Sequence, residues 1–162
     1  MKITKSIIIN KPANDVWKIV AHDFDLAHMW MGPVPHSYDL GKGCSDIGAP
    51  MEGRICQLSK NPDGAKAKEV ITEYSEEDKT LTFDITPINV PEIVPVKRNR
   101  IKMSVVEKGP NKTEVVWIAS PQLKFFAYPF YPLLRFALPM AFGKLLKGLK
   151  TFAEAPSAAK AV

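Results

Sequence analysis

The sequence predicts an α+β domain, one antiparallel sheet with its helices gathered on one side. Three observations predict it. The middle of the chain consists of short segments in which apolar and polar residues alternate, the pattern of strands that bury one face. Two short helical signals precede most of these segments, and an apolar stripe at helical spacing follows the last one. Runs of strands followed by a helix are typical of this class.

The N-terminal region begins with a predicted strand over residues 2–10, in which Ile3, Ile7 and Ile9 share one face. Pro12 suits the first turn of a helix, because a helix leaves its first N–H groups without internal partners. A second short helix is expected over residues 25–30. The sequence therefore predicts a strand followed by two short helices.

Glycine and proline interrupt the next region and bound two predicted strands, near residues 37–40 and 54–58. The turn signal Asn61-Pro62-Asp63-Gly64 follows them. From there the chain alternates as successive strands of one sheet. These strands are predicted over residues 68–74, 81–86, 98–107 and 113–120.

The apolar period becomes helical over residues 131–154. One stripe of this helix is predicted to face the sheet, and the opposite side carries lysines. Pro139 lies inside the helix and cannot donate a hydrogen bond, so a kink is expected near residues 135–139. The stripe consists of Leu134, Leu138, Ala141, Leu145, Leu149 and Phe152.

The composition is that of one globular domain: 162 residues, 46% hydrophobic and 24% charged. We place the domain at residues 1–154 and a disordered tail at 155–162. The N-terminal apolar run is too short for a secretory signal. Cys44 and Cys56 match no metal or redox spacing, so we expect reduced thiols in a cytoplasmic protein. The net charge of +5 is compatible with anionic partners.

Residues 6–30, SIIINKPANDVWKIVAHDFDLAHMW, resemble the opening of the START-like (SRPBCC) superfamily, which includes polyketide cyclase/dehydrase-like lipid-binding proteins and Bet v 1-type allergens. Further motifs resemble the same superfamily along nearly the whole chain. They are Gly53-Arg54, Glu69, the T-x-V-x-W pattern ending at Trp117, and the C-terminal pattern over residues 146–154. The opening motif is carried by Pro12, Ala13, Val16, Trp17 and Trp30.

This resemblance implies a helix-grip fold, in which a curved antiparallel sheet of about seven strands wraps a long C-terminal helix and encloses a cavity. Members mostly bind hydrophobic ligands, and some are cyclases. We therefore expect a small hydrophobic ligand, either a lipid, an isoprenoid or a polyketide-like molecule. No cofactor is predicted. Fold alone does not fix the function.

The resemblance places Trp117 in the cavity, and strand alternation then gives Val115 and Ala119 the same direction. Plain core packing is the alternative for each such residue. Arg54 is predicted to be solvated, although an inward arginine would bind a carboxylate or a polyketide oxygen. The predicted ligand-binding residues are Trp30, His36, Arg54, Phe83, Val115, Trp117, Ala119, Leu138, Ala141 and Leu145.

No catalytic constellation and no metal site are predicted, because the three histidines, His22, His28 and His36, lack the spacing of zinc ligands. The alternative is a cyclase or dehydratase that uses the same cavity, with His36, Arg54 or Asp84 pointing inward. The basic run at residues 97–102 contains no aromatic residues, so a solvated strand face is expected and nucleic acid is not.

Residues 125–142, FFAYPFYPLLRFALPMAF, are more apolar than the start of a solvated helix requires. Arg135 and three prolines argue against a membrane span. Leu133, Phe136 and Met140 fall on the side that later becomes polar. Three interpretations stay open for this excess: a lid over the cavity, a homodimer contact, or peripheral contact with a membrane. A module that only contacts a membrane or another protein is the second alternative function.

Overall fold

Seven antiparallel strands form one sheet in the computed structural model, which describes residues 1–43 and 46–156. The order across the sheet is β1-β7-β6-β5-β4-β3-β2, so β1 and β2 form the edges. This arrangement confirms the predicted fold class. The strands are β1 (Ile3–Ile9), β2 (His36–Asp39), β3 (Gly53–Gln57), β4 (Lys66–Ser75), β5 (Thr80–Ile88), β6 (Val96–Gly109) and β7 (Lys112–Leu123).

Helical segments connect β1 to β2 and follow β7. The long helix begins and ends where the sequence predicts, and the short N-terminal helix continues after Trp17 with π-helical geometry. The segments are α1 (Ala13–Trp17), the π-helical turn Lys18–His22, a 3-10 turn at Phe24–Met29, a second 3-10 turn at Phe125–Phe130, and α2 (Tyr131–Glu154).

One face of the sheet, here called the inner face, is apolar across five neighbouring strands. Strand alternation produces it, because every second side chain points to the same side. Register places Ile3 opposite Ala119, Ala119 opposite Ile101, Ile101 opposite Phe83, and Phe83 opposite Ile71, and all five are buried. This row is the floor on which the helices rest.

The C-terminal half of α2 is fixed against edge strand β1. Lys150 donates from Nζ to the carbonyl of Ile8 at 2.6 Å, and the backbone N–H of Asn10 donates to Glu154 at 2.7 Å. Gly148 lies against the carbonyl of Trp30, where a Cβ atom would come within 2.5 Å of that oxygen. These contacts fix the height of the helix over the sheet at this end.

The N-terminal half of α2 is more exposed than the predicted stripe implies. Ala141 is exposed, whereas Phe142 is half-buried and packs at 5.9 Å from the ring of Trp117. The prediction that Ala141 faces the sheet was therefore wrong by one residue. The helix remains helical on both sides of Pro139, and the kink there stays a prediction.

Two predictions fall wholly or partly outside the described residues. Cys44 lies outside them, so its thiol state stays a prediction. Residues 157–162 of the tail predicted at 155–162 also lie outside. Cys56 is a buried free thiol, and burial raises its pKa to about 12.

Candidate functional site

Two polar atoms on the inner face have no hydrogen-bond partner among the described residues. They are Nε1 of Trp117 on β7 and Oδ1 of Asn99 on β6. Only 3% of Trp117 and 7% of Asn99 is exposed, so water does not substitute freely for a partner. Buried polar groups in proteins are nearly always hydrogen-bonded, because an unmade bond costs about 1–3 kcal/mol. These two atoms therefore mark the inner face as a candidate binding surface.

An apolar strip, here defined by Ile101 on β6 and Ala119 on β7, separates the two atoms. Asn99 pairs with Pro121, four residues beyond Trp117 on β7, which corresponds to about 13 Å at a strand rise of about 3.3 Å per residue. The buried row that contains Ile101 and Ala119 crosses the sheet between them. The strip is thus an apolar floor with one unpaired donor at one end and one unpaired acceptor at the other.

Side chains of α2 on both sides of Phe142 pack over this strip, whose own residues are all buried. Leu138 and Leu145 are half-buried and pack against the core, and Phe142 contacts the Trp117 ring. Arg135 lies two helical turns before Phe142, on the same side of the helix, and is exposed. The side of α2 that faces the strip is therefore apolar in its middle and cationic near its start.

Of the residues predicted from the sequence, Phe83, Trp117 and Ala119 lie together on the inner face. Val115 precedes Trp117 by two residues on β7, so its side chain points the same way, and it is fully buried. Trp30 is buried beside α2 and borders a separate surface cleft of about 380 Å³ between the N-terminal helical segments and the end of α2. The structure thus separates Trp30 from the strip while it keeps the strand residues together.

Arg54 is not solvated, and this prediction was wrong. It is 2% exposed, and its guanidinium donates to Oε2 of Glu69 from Nε at 2.7 Å and lies 2.6 Å away through Nη2. Nη1 donates to the carbonyl of Phe24 at 2.7 Å, and the guanidinium carbon lies 3.9 Å from the centre of the Phe24 ring. Its charge is therefore already balanced within the protein, which leaves little capacity to bind a ligand.

His36 does not face the inner side of the sheet. It is exposed on edge strand β2, because its neighbour Ser37 points inward and donates to the carbonyl of Asp25 at 2.6 Å. The His36 ring lies among surface rings, 5.7 Å from His28 and 5.8 Å from Tyr38. The pocket role predicted for His36 is therefore not supported by its direction.

Asp84 lies on the outer face of the sheet, opposite the position that an enzyme of this cavity would need. Arg100 donates to both of its carboxylate oxygens, at 2.8 and 2.9 Å, and Arg98 also contacts it. The hydrogen bond from Arg100 is the largest cause of the lowered pKa of Asp84. The predicted solvated basic strand face is confirmed, since Lys97, Arg98, Arg100 and Lys102 are all exposed, and two of its arginines also hold a buried carboxylate.

The matching family is described as polyketide cyclase / dehydrase and lipid transport, and the match extends over residues 1–154. The chain belongs to this family. No protein of curated function matches it in sequence.

Solved structures show the same fold for this member of the polyketide cyclase / dehydrase and lipid transport family. A START superfamily protein from Mycobacterium smegmatis is 13% identical, with a TM-score of 0.73 over 94% of this chain and 97% of that one. Ara h 8.0201 is 12% identical, with a TM-score of 0.69 over 94% and 97%. The di-domain ARO/CYC BexL from the BE-7585A biosynthetic pathway is 13% identical, with a TM-score of 0.73 over 95% of this chain and 46% of BexL.

Two residues of the candidate site, Asn99 and Phe142, were not predicted from the sequence. Asn99 begins the series Asn99, Ile101, Met103, Val105, whose shared parity places it on the inner face, so strand alternation would have found it. Phe142 was missed because the stripe was drawn through Ala141. A local alternation signal was therefore available for Asn99, while the phase of α2 required the tertiary contact with Trp117.

A second polar cluster of this family member surrounds Glu76, away from the strip. Trp17 donates from Nε1 to Oε2 at 3.0 Å, the Nε2 atom of His22 lies 2.9 Å from the same oxygen, and the hydroxyl of Tyr74 also contacts it. Burial raises the pKa of Glu76, but the hydrogen bonds from these three residues outweigh it and lower the pKa to about 2. The cluster ties α1 and the π-helical turn to the β4–β5 turn.

Within residues 1–43 and 46–156, no group of three or more His, Cys, Asp and Glu side chains is arranged to hold a metal ion. No helix in the described part of this family member is both long and apolar enough to cross a membrane.

Proposed function

We propose that the chain binds a small hydrophobic ligand that carries at least one polar group, and that it holds this ligand between the inner face and the N-terminal half of α2. The observation that carries the proposal is the pair of buried, unpartnered atoms, Trp117 Nε1 and Asn99 Oδ1, at the two ends of an apolar strip. Membership of a family described as including lipid transport supports the same ligand class.

The strip provides affinity by burying the apolar surface of the ligand. The polar atoms at its two ends orient the ligand. Removing apolar ligand surface from water contributes about 25 cal/mol per Å², before the costs of association are subtracted. A ligand oxygen that accepts from Trp117, or a hydroxyl that bonds to Asn99, removes a penalty that the unliganded protein carries. A hydroxyl suits Asn99 in either orientation of its amide, because it both donates and accepts. Lipids and isoprenoid alcohols combine these features, and they are our leading candidates.

Carriage is favoured over the cyclase or dehydratase alternative. An enzyme of this cavity needs an inward acid or base, and the three residues considered for that role are otherwise engaged or placed elsewhere. Arg54 is paired with Glu69, Asp84 lies on the outer face with two arginines, and His36 is exposed at the edge. No catalytic residue is therefore assigned.

The cytoplasmic location predicted from the cysteines is part of this proposal. It is supported by Cys56, which is a free thiol in the described structure.

The test is native mass spectrometry of the purified protein, followed by organic extraction and identification of any bound molecule. We then titrate the emptied protein with a fatty acid, an isoprenoid alcohol and an aromatic polyketide. Trp117→Phe and Asn99→Leu should weaken binding of the best ligand, whereas Trp17→Phe, which removes an indole N–H outside the strip, should not. The proposal fails if no molecule binds, or if binding ignores both substitutions in the strip.

A further inference from the structure

We infer that the exposed apolar surface around residues 125–142 docks on an anionic lipid bilayer. This inference goes beyond ligand binding and does not depend on it. The surface, here called the aromatic surface, is defined by side chains that are each at least two-fifths exposed. They are Ile93, Phe125, Phe126, Tyr128, Phe130, Leu133, Phe136 and Met140.

The exposure of this surface is too large for scattered surface residues. Phe125 is 92% exposed, Phe136 71%, Leu133 66% and Met140 65%. Single exposed apolar side chains are normal, but a contiguous group of large ones marks a contact site. The core of the described residues does not need to cover them, because the fully buried residues of α2 are Leu146, Leu149 and Ala153 in its C-terminal half.

A neighbouring loop adds Ile93 to the aromatic surface, which the sequence did not predict. The backbone N–H of Lys124 donates to the carbonyl of Pro95 at 2.8 Å, and its Nζ donates to the carbonyl of Glu92 at 3.0 Å. These bonds hold the loop beside the 3-10 turn at Phe125–Phe130. Ile93 is 79% exposed there, so two separate segments present apolar side chains at the same end of the sheet.

The exposed stripe of α2 changes from apolar to cationic along its length. Leu133, Phe136, Met140, Lys144 and Lys147 follow one another at helical spacing, so they share one face of the helix. The first three are apolar and the last two are exposed lysines. Such a stripe matches a surface in which apolar chains lie beside negative charges, as at the boundary between acyl chains and headgroups.

The charge around the aromatic surface decides between partners. No aspartate or glutamate occurs from Val115 to Ala153, whereas Lys124, Arg135, Lys144 and Lys147 lie in or beside the 125–142 segment, and Glu92 is the acidic neighbour of Ile93. A symmetric contact between two copies would bring these like charges together, which disfavours a homodimer. Phenylalanine and tyrosine flanked by lysine are typical of the interface of anionic membranes.

The experiment is flotation of the full chain with vesicles of phosphatidylcholine alone and of phosphatidylcholine mixed with phosphatidylserine. We expect the protein to float with the mixed vesicles and to be released by high salt. The variant Phe125→Asp/Phe136→Asp should lower the partition coefficient by on the order of tenfold or more, because each phenyl group loses its apolar contact. Lys144→Gln/Lys147→Gln should lower it by on the order of tenfold on mixed vesicles alone.

The matched control is Val106→Asp, a 39% exposed residue near the other end of β6, which should float like the unchanged protein. Circular dichroism and light scattering accompany each variant. Failure of the unchanged protein to float overturns the inference. So does a dimer that Phe125→Asp/Phe136→Asp converts to a monomer without changing flotation, since the surface would then be a contact between copies. Ligand binding in solution that persists in this variant separates docking from the proposed function.

Discussion

Arg54 and Glu69 form an ion pair, 2.6 Å apart, in which both side chains are less than a tenth exposed. The pair spans adjacent strands β3 and β4, where register places the two residues opposite each other. It lies against the ring of Phe24, which in turn packs on Phe83. The N-terminal 3-10 turn is thus attached to the inner face through a buried charge.

Arg54→Met should lower the free energy of unfolding by about 3–5 kcal/mol, because it leaves the Glu69 carboxylate buried and unpaired. Arg54→Met/Glu69→Leu should recover much of this loss, since no uncompensated charge remains. Urea unfolding measures both. Lys108→Ala, which breaks the partly exposed pair with Glu114, is the control and should cost less than about 1 kcal/mol. A double variant as unstable as the single one would contradict the argument.

Acid should weaken the attachment of α1 through Glu76. Its pKa is lowered to about 2 in the folded protein from an ordinary value of 4.5. A lowered folded pKa means that the stabilisation is present above 4.5 and is lost as the pH falls toward 2. The carboxylate is more than half exposed, so we discount its contribution for solvent screening to about 1 kcal/mol. Glu76→Gln should flatten the acid limb of stability against pH, and Glu77→Gln should leave it steep.

Asn99→Leu should raise the stability of the unliganded protein by about 1 kcal/mol, because it removes a buried carbonyl oxygen that has no described partner. The same change should weaken ligand binding. Thermal unfolding and ligand titration measure the two effects separately. A variant that is less stable and binds as before would indicate that Asn99 has a structural partner instead.

Two glycines of α2 should respond in opposite directions to alanine. A Cβ atom at Gly148 would lie 2.5 Å from the carbonyl oxygen of Trp30, whereas nothing lies within 4 Å of one at Gly143. Gly148→Ala should therefore lower the free energy of unfolding by about 1–3 kcal/mol through overpacking. Gly143→Ala should raise it by about 0.5–1 kcal/mol through helix propensity. Equal effects at the two positions would show that α2 does not press on Trp30.

The sequence predicts the helices and strands of this protein better than it predicts which way individual side chains point. Alternation, glycine and proline boundaries and the helical stripe together predicted all seven strands and the bounds of α2, because each of these signals is carried by consecutive residues. The burial of Arg54 depends on Glu69, fifteen residues away on the next strand, and no local pattern contains that pairing. The outward direction of His36 likewise depends on the bond from Ser37 to the carbonyl of Asp25.

The candidate site shows the same division. The alternation of β6 was sufficient to place Asn99 on the inner face. Asn99 was missed because only the apolar residues of that series were considered. Which residue of α2 faces the sheet, Ala141 or Phe142, could not be predicted from the sequence pattern. An amphipathic helix defines its apolar side to within about one residue, and the ring of Trp117 selects the side chain that faces it.

The bonds from the end of α2 to β1 have a consequence for the behaviour of the protein at high concentration. β1 is an edge strand with three consecutive isoleucines, Ile7–Ile9, and an unprotected edge of this kind templates pairing with a strand of another molecule. Lys150 occupies the carbonyl of Ile8, and Glu154 occupies the N–H of Asn10. The last turn of the helix thus protects the β1 edge from pairing with another molecule. If these bonds were broken, the protein would aggregate through β1 before it unfolded.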